Sequence, residues 1–128
     1  RAQSVRDVLG WSLPFERDLL PQSLLDRLLD ARVLDEQGSM LRATVRVSRV
    51  HGALFLHSAY PTLDQDSVFL GPDSYRFADF IVARMQALAP GARILDYAAG
   101  SGVGGVTAAR QQPEAKLTLA DINSKALF

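Results

Sequence analysis

The residues of this 128-residue chain best suited to chemistry fall in two short stretches, "ILDYAAGSGVGG" from Ile94 to Gly105 and "LTLADIN" from Leu117 to Asn123. A glycine-rich turn that leaves a strand and enters a helix lets backbone amides approach a ligand, with the partial positive charge of the helix N-terminus pointing at it. A phosphate-binding loop of this kind needs a lysine followed by serine or threonine after its last glycine. Here Gly105 is followed by Val106 and Thr107, which excludes that chemistry. The dinucleotide pattern G-x-G-x-x-G is met by Gly100, Gly102 and Gly105, with Asp121 at about the distance expected of a ribose-binding acid. In that pattern the strand runs straight into the first glycine, whereas here Asp96 stands ahead of it with Tyr97, Ala98 and Ala99 between. An acid at the C-terminal end of a strand faces the crevice where α/β sheets bind ligand, and it suits a cationic amino group, held directly or through water.

The elements that must position these residues are legible in the hydrophobic pattern. "ARILDY" reads as a short buried strand, "AAGSGVGG" as a loop, "VTAARQQP" as a helix and "KLTLAD" as a second strand. Ahead of them, "GPDSYRFADFIVARMQALAPG" places Phe77, Phe80, Ile81, Arg84 and Leu88 at helical spacing, with Asp73 or Ser74 as the N-cap and Pro90 and Gly91 as the stop. Helix, strand, glycine turn, helix and strand ending in an acid is the opening of a doubly wound α/β sheet. Nearer the N-terminus, "PQSLLDRLLDARVL" sets Leu24, Leu25, Leu28 and Leu29 on one helical stripe with Pro21 suited to the first turn. "DEQGSM" supplies turn residues. In "LRATVRVS", Leu41, Ala43, Val45 and Val47 alternate with polar residues as one half-buried strand, and a turn near His51 and Gly52 leads to a partner strand, "ALFLHS". Helices followed by a two-stranded hairpin point to a small winged-helix-like α+β module over residues 1–66. "YPTLDQD" (60–66) serves as its linker to the α/β region at 67–128.

Composition narrows the chemistry. Fourteen basic and 14 acidic residues balance to zero net charge, so no global field favours nucleic acid or membrane. Arg42, Arg46 and Arg49 recur on the outer face of the hairpin and its turn, where they would track a nucleic-acid backbone or simply face solvent. The absence of cysteine removes disulfides, thiolate metal sites and a cysteine nucleophile, and His51 and His57 alone build no metal site. Ser101 has no base placed to activate it. No apolar run approaches the ~20 residues of a membrane helix, and no signal peptide opens the chain, so a soluble, cytoplasmic protein is expected.

Asp96 ahead of the loop, the loop itself and "LADIN" after it resemble the first two motifs of class I S-adenosylmethionine-dependent methyltransferases, in particular the methyltransferase small domain branch. S-adenosylmethionine carries the ammonium that a nicotinamide dinucleotide lacks. The resemblance implies that Asp96, Tyr97 and the turn Ala98, Ala99, Gly100, Ser101 and Gly102 line the methionine end of S-adenosyl-L-methionine. It also implies that Asp121 binds the ribose hydroxyls and that Ile122, followed by Asn123, lies against the adenine. "FLGPDSYRFADFI" is similar to the segment that covers the cofactor in that family, with Asp73, Tyr75 and Arg76 as its polar candidates. Ala98 stands where the family commonly has its first glycine, and an alanine is acceptable there where φ is negative. Ser124 stands where a proline often follows the asparagine.

The expectation is therefore a mixed α/β chain: a winged-helix-like module ahead of the start of a Rossmann-like methyltransferase sheet. The chain opens at Arg1 and closes at "NSKALF", where the pattern begins a helix, so both ends read as cuts. The catalytic motif at the end of the family's fourth strand is absent, and the catalytic residues are expected beyond Phe128. Methyl transfer by the parent protein to a nitrogen on RNA or protein is the expected function. The alternatives are a small-molecule methyltransferase, an NAD(P)-dependent oxidoreductase using the GSGVGG loop, and a non-catalytic winged-helix binding protein. Neither the acceptor nor the oligomeric state is legible.

Overall fold

Ser4 begins the first helix because its hydroxyl accepts the Asp7 amide while the Asp7 carboxylate takes the Ser4 hydroxyl and the Gln3 amide, a reciprocal cap. In the computed structural model, which describes residues 1–127, that cap opens α1 (Val5–Trp11). There follow α2 (Gln22–Asp30), β1 (Leu34–Gln37), β2 (Met40–Ala43), β3 (Val45–Val50), β4 (Ala53–Ser58), α3 (Pro72–Arg84), β5 (Arg93–Tyr97), α4 (Val103–Gln111) and β6 (Lys116–Ala120). The chain is mixed α/β, with three two-stranded sheets, β1–β2, β3–β4 and β5–β6, among the described residues. Phe128, the last residue of the expected second region, lies outside the described residues.

Two compact units emerge, one from Arg1–Ser48 with Leu56–Leu63, the other from Arg49–Phe55 with the chain from Asp64 onward. The first has its core in Val8, Phe15, Leu20, Leu25, Leu41 and Ala43, against which Leu24 and Leu28 pack half-buried. Three leucines of the expected α2 stripe thus face this core, while the fourth, Leu29, is exposed. The second unit buries Val50, Phe55, Leu70, Ala78 and Val103 together.

Four sequence expectations are corrected. The single strand expected over residues 41–48 breaks at Thr44 and serves two hairpins. Its first half, β2, pairs antiparallel with β1 in the register Asp35↔Arg42 and Glu36↔Leu41, so "DEQ" is a strand and only the Gly38 region turns. Thr44 gives its amide to Val33 and its carbonyl to Ala59, which takes it out of the ladder. The expected turn between β3 and β4 is present. His51 (φ 45) and Gly52 (φ 79) both have positive φ, the requirement of a two-residue type I′ turn.

The second correction concerns α3. Its N-cap is Gly71, with Pro72 at the first helical position where a missing N–H costs nothing, so Asp73 lies in the first turn instead of capping it. The third is the helix end: α3 stops at Arg84, short of Leu88. The Gln112 side chain accepts the Leu88 amide and donates to the Gln86 carbonyl, which holds 86–88 out of the helix. The fourth is that α4 begins at Val103, so Gly104 and Gly105 form its first turn and not a loop.

The candidate site is positioned by the element β5–α4–β6. Its strands are parallel, with Ile94 beside Leu117 and Asp96 beside Leu119, and helix α4 makes the crossover a parallel pair requires. Close approach dictates the glycines. A Cβ on Gly105 would lie 2.5 Å from Leu119 Cδ2 and 3.0 Å from Asp96 Cβ, and one on Gly104 would lie 2.6 Å from the Phe77 ring. Gly105 thereby lets α4 rest on the sheet, whereas the close neighbour of Gly104 is the ring tip of a half-exposed side chain of α3.

Candidate functional site

At the C-terminal end of β5 the chain leaves the strand through Ala98 (φ 61), Gly100 (φ 53) and Gly102 (φ 78). The negative φ that would make an alanine unstrained at position 98 is not found: Ala98 is left-handed, a conformation costing an L-residue roughly 1–2 kcal/mol. The turn is held by main-chain bonds from the Ala99 amide to the Ala120 carbonyl (3.0 Å) and from the Gly102 amide to the Ala99 carbonyl (2.7 Å).

Between this turn and α3 lies a cavity of about 350 Å³, within the range of roughly 300–1,000 Å³ usual for small-molecule sites. Asp96, Ala98, Ala99, Gly100 and Ser101 line it from the strand and turn. Val103 and Gly104 contribute from the first turn of α4, and Phe69, Asp73, Ser74 and Phe77 from the other side. No lysine, arginine or histidine is among these residues, so the wall carries two carboxylates and no cation.

Of the residues singled out in the sequence, Asp73, Asp96, Ala98, Ala99, Gly100 and Ser101 meet at this cavity. Gly102 is outside the lining, buried as the N-cap of α4. Tyr97 does not line it: alternation along β5 turns its side chain to the sheet face opposite Asp96, where it is 78% exposed. Tyr75 and Arg76 are exposed on α3 outside the lining. Asp121, Ile122 and Asn123 follow β6 and are also outside it. Ile122 is 98% exposed. The Asn123 side chain is spent on the chain itself, donating to the Asp66 carbonyl and accepting the Lys125 amide.

The carboxylates have defined partners. Asp96 Oδ2 accepts the Gly105 amide at 2.6 Å, so it caps the first turn of α4 while its residue also lines the cavity. Asp121 Oδ1 accepts the Asn123 amide (2.8 Å) and Oδ2 the Gly100 amide (2.7 Å). These two amides, Asn123 first, hold the Asp121 carboxyl below its ordinary value, because hydrogen bonds to the charged form favour it.

Phe69, Phe77, Val103 and Gly104 were not foreseen as lining residues. Phe77 follows Asp73 by four positions and shares its helical face, so an inward Asp73 brings Phe77 with it. The sequence instead placed Phe77 on an apolar packing stripe, yet it is 52% exposed.

Arg42, Arg46, His51 and His57, outside this site, have structural partners. Arg42 donates to the Ser12 and Tyr60 carbonyls; Arg46 donates to the Gly10 carbonyl and stacks 5.3 Å from the Trp11 ring centroid. Neither is the free outward cation that a backbone-tracking role needs, whereas Arg49 is exposed. His51 Nε2 pairs with Asp79 Oδ1. His57 is buried, its Nδ1–H donating to the Ser58 carbonyl and its Nε2 accepting from Ser48. Burial, and after it the charge of Arg46, lowers its pKa below 6.5. Among the described residues, no helix is long and apolar enough to cross a membrane and no His/Asp/Glu cluster of metal-site size occurs.

The site thus combines an acidic cavity, aromatic rings and a glycine turn at the end of a parallel strand. No protein-family model matches the chain, and no curated protein matches it in sequence.

Proposed function

We propose that this cavity holds the amino-acid end of S-adenosyl-L-methionine and that the protein carrying it is a methyltransferase, its sheet Rossmann-like and its N-terminal module winged-helix-like. The observation that carries the reading is the charge of the wall. Asp73 and Asp96 line the cavity without a basic residue, and Asp96 already takes the Gly105 amide at the N-terminus of α4. That helix end is where a dinucleotide would place its pyrophosphate. Here the pyrophosphate would meet two carboxylates and an amide already spent, whereas an ammonium or a sulfonium gains from both carboxylates. Two aromatic residues in the lining, Phe69 and Phe77, suit a cation as well.

The fit extends to the chain's own donors and acceptors. Asp96 retains the lone pairs of Oδ1 for a ligand ammonium, and Ala98, whose methyl is small, leaves the turn open to it. When bound, the cofactor supplies an electrophilic methyl group. The residues described here bind and orient it, and the acceptor, which the resemblance suggests is a nitrogen on RNA or protein, is brought in line by positioning. The same reading makes the protein cytoplasmic.

Isothermal calorimetry with S-adenosylmethionine, S-adenosylhomocysteine and NAD tests this reading. Heat of binding is expected with the first two and not with NAD. Binding of NAD alone would overturn it in favour of an oxidoreductase.

A further inference from the structure

We infer that Asp121 is a positioning residue for the cavity turn: its carboxylate clamps Gly100 and thereby helps hold Ala98 left-handed. This rests on the cofactor reading for its consequence and on the geometry alone for the clamp.

Both carboxylate oxygens are engaged by main-chain amides, Oδ2 by Gly100 at 2.7 Å and Oδ1 by Asn123 at 2.8 Å. These short bonds tie the turn after β5 to the turn after β6. Side-chain packing does not do the same work at Gly100, where a Cβ would find nothing within 4 Å. The turn is also under strain, since Ala98 sits at φ 61 without being glycine. What opposes that strain on the β6 side is the Ala120 carbonyl on the Ala99 amide and the Asp121 carboxylate on the Gly100 amide. Of the two, only Asp121 acts through a side chain that substitution can remove.

The turn then has two arrangements, one with Ala98 left-handed and the cavity formed, one relaxed. Asp121 shifts the balance toward the first, and ligand affinity scales with the fraction so arranged. A residue that only received ribose hydroxyls would have no such coupling to Ala98.

The test is a double-mutant cycle on the whole chain, using Asp121→Asn, Ala98→Gly and the double variant, with S-adenosylhomocysteine as the calorimetric probe. Asp121→Asn puts an NH₂ or a neutral oxygen where the carboxylate faced an amide and is expected to weaken binding about tenfold. Glycine at 98 removes the left-handed penalty. Its effect on affinity is expected to be at least about threefold more favourable in the Asp121→Asn background than in the wild type. Equal effects of Ala98→Gly in both backgrounds would overturn the coupling and leave Asp121 as a direct ligand contact.

Amide hydrogen exchange without ligand separates the clamp from the cofactor reading. The Gly100 amide of the wild type is expected to be protected, and to exchange about tenfold or more faster in Asp121→Asn. An unprotected Gly100 in the wild-type chain, or unchanged exchange in the variant, would sink the clamp even if the probe binds. A wild type that shows the protection but ignores the probe would instead sink the methyltransferase reading.

Discussion

Gly104 and Gly105 sit side by side in the first turn of α4, yet an added methyl group should act differently at each. Helix propensity favours alanine over glycine by up to about 1 kcal/mol at either position, so the difference comes from the neighbours. At Gly105 the new Cβ would lie 2.5 Å from Leu119 Cδ2, 2.9 Å from Asp96 Oδ2 and 3.0 Å from Asp96 Cβ. The leucine tip can rotate away. The aspartate Cβ cannot, because it is fixed to the paired strand β5, and its carboxylate is held by the Gly105 amide itself. Relief requires α4 to lift from the sheet, an overpacking cost of about 1–3 kcal/mol.

At Gly104 the one contact under 3.0 Å is with the ring of Phe77, 2.6 Å at Cε1, with Asp96 Oδ2 farther off at 3.3 Å, and a ring that is 52% exposed has room to turn outward. The propensity gain then offsets most of the cost. Gly105→Ala is expected to lose about 1–2 kcal/mol, or roughly 3–8 °C in Tm, while Gly104→Ala stays within about 0.5 kcal/mol of the wild type. Thermal and urea unfolding followed by far-ultraviolet circular dichroism measure both. Equal stability of the two variants would show that α4 does not depend on Gly105 to lie against Asp96 and Leu119, and the reasoning would fail.

Two more predictions concern the first unit. Ser12 closes α1 at φ 52 with its hydroxyl buried and without a hydrogen-bond partner, so Ser12→Gly should stabilise the chain by about 1 kcal/mol; an unchanged or lower urea midpoint would refute this. His57 has its pKa lowered in the folded chain, so below 6.5 the unfolded chain binds the proton more readily and stability falls as pH drops from 6.5 toward the folded value. His57→Gln should flatten the dependence of Tm on pH between about pH 7 and pH 5, and a slope equal to that of the wild type would exclude His57 as its source.

Much of the α/β region was legible because its signals are local. Apolar runs bounded by glycine and proline mark β5, and the glycine turn separates that strand from its helix. What escaped depended on partners distant in sequence. β1 reads Leu-Asp-Glu-Gln, only its leucine is even half-buried, and nothing in such a tetrapeptide alternates; it is a strand because β2 supplies the ladder. The premature end of α3 was equally invisible, since the side chain that holds 86–88 is Gln112, far along the chain. The start of α1 carries a local signal as well. Ser4 followed three positions later by Asp7 resembles a capping box, and it opens α1.

The site shows the same division, with a sharper consequence. Residue type and spacing brought Asp96 and the glycine turn to one place, because a parallel strand and its crossover helix leave few positions for them. Spacing could not say which atoms of those acids stay available. Asp96 gives Oδ2 to the helix, and Asp121 gives an oxygen to each of two turns. An acid in such a motif can therefore build the binding surface as well as belong to it. At Ala98 the two roles meet: a residue chosen as glycine on steric grounds alone is here an alanine, left-handed, beside a main-chain bond from Ala99 to Ala120 and a carboxylate bond to Gly100. Strain at that position persists only while those bonds outweigh it, so the shape of the cavity depends on Asp121 even though Asp121 does not line it.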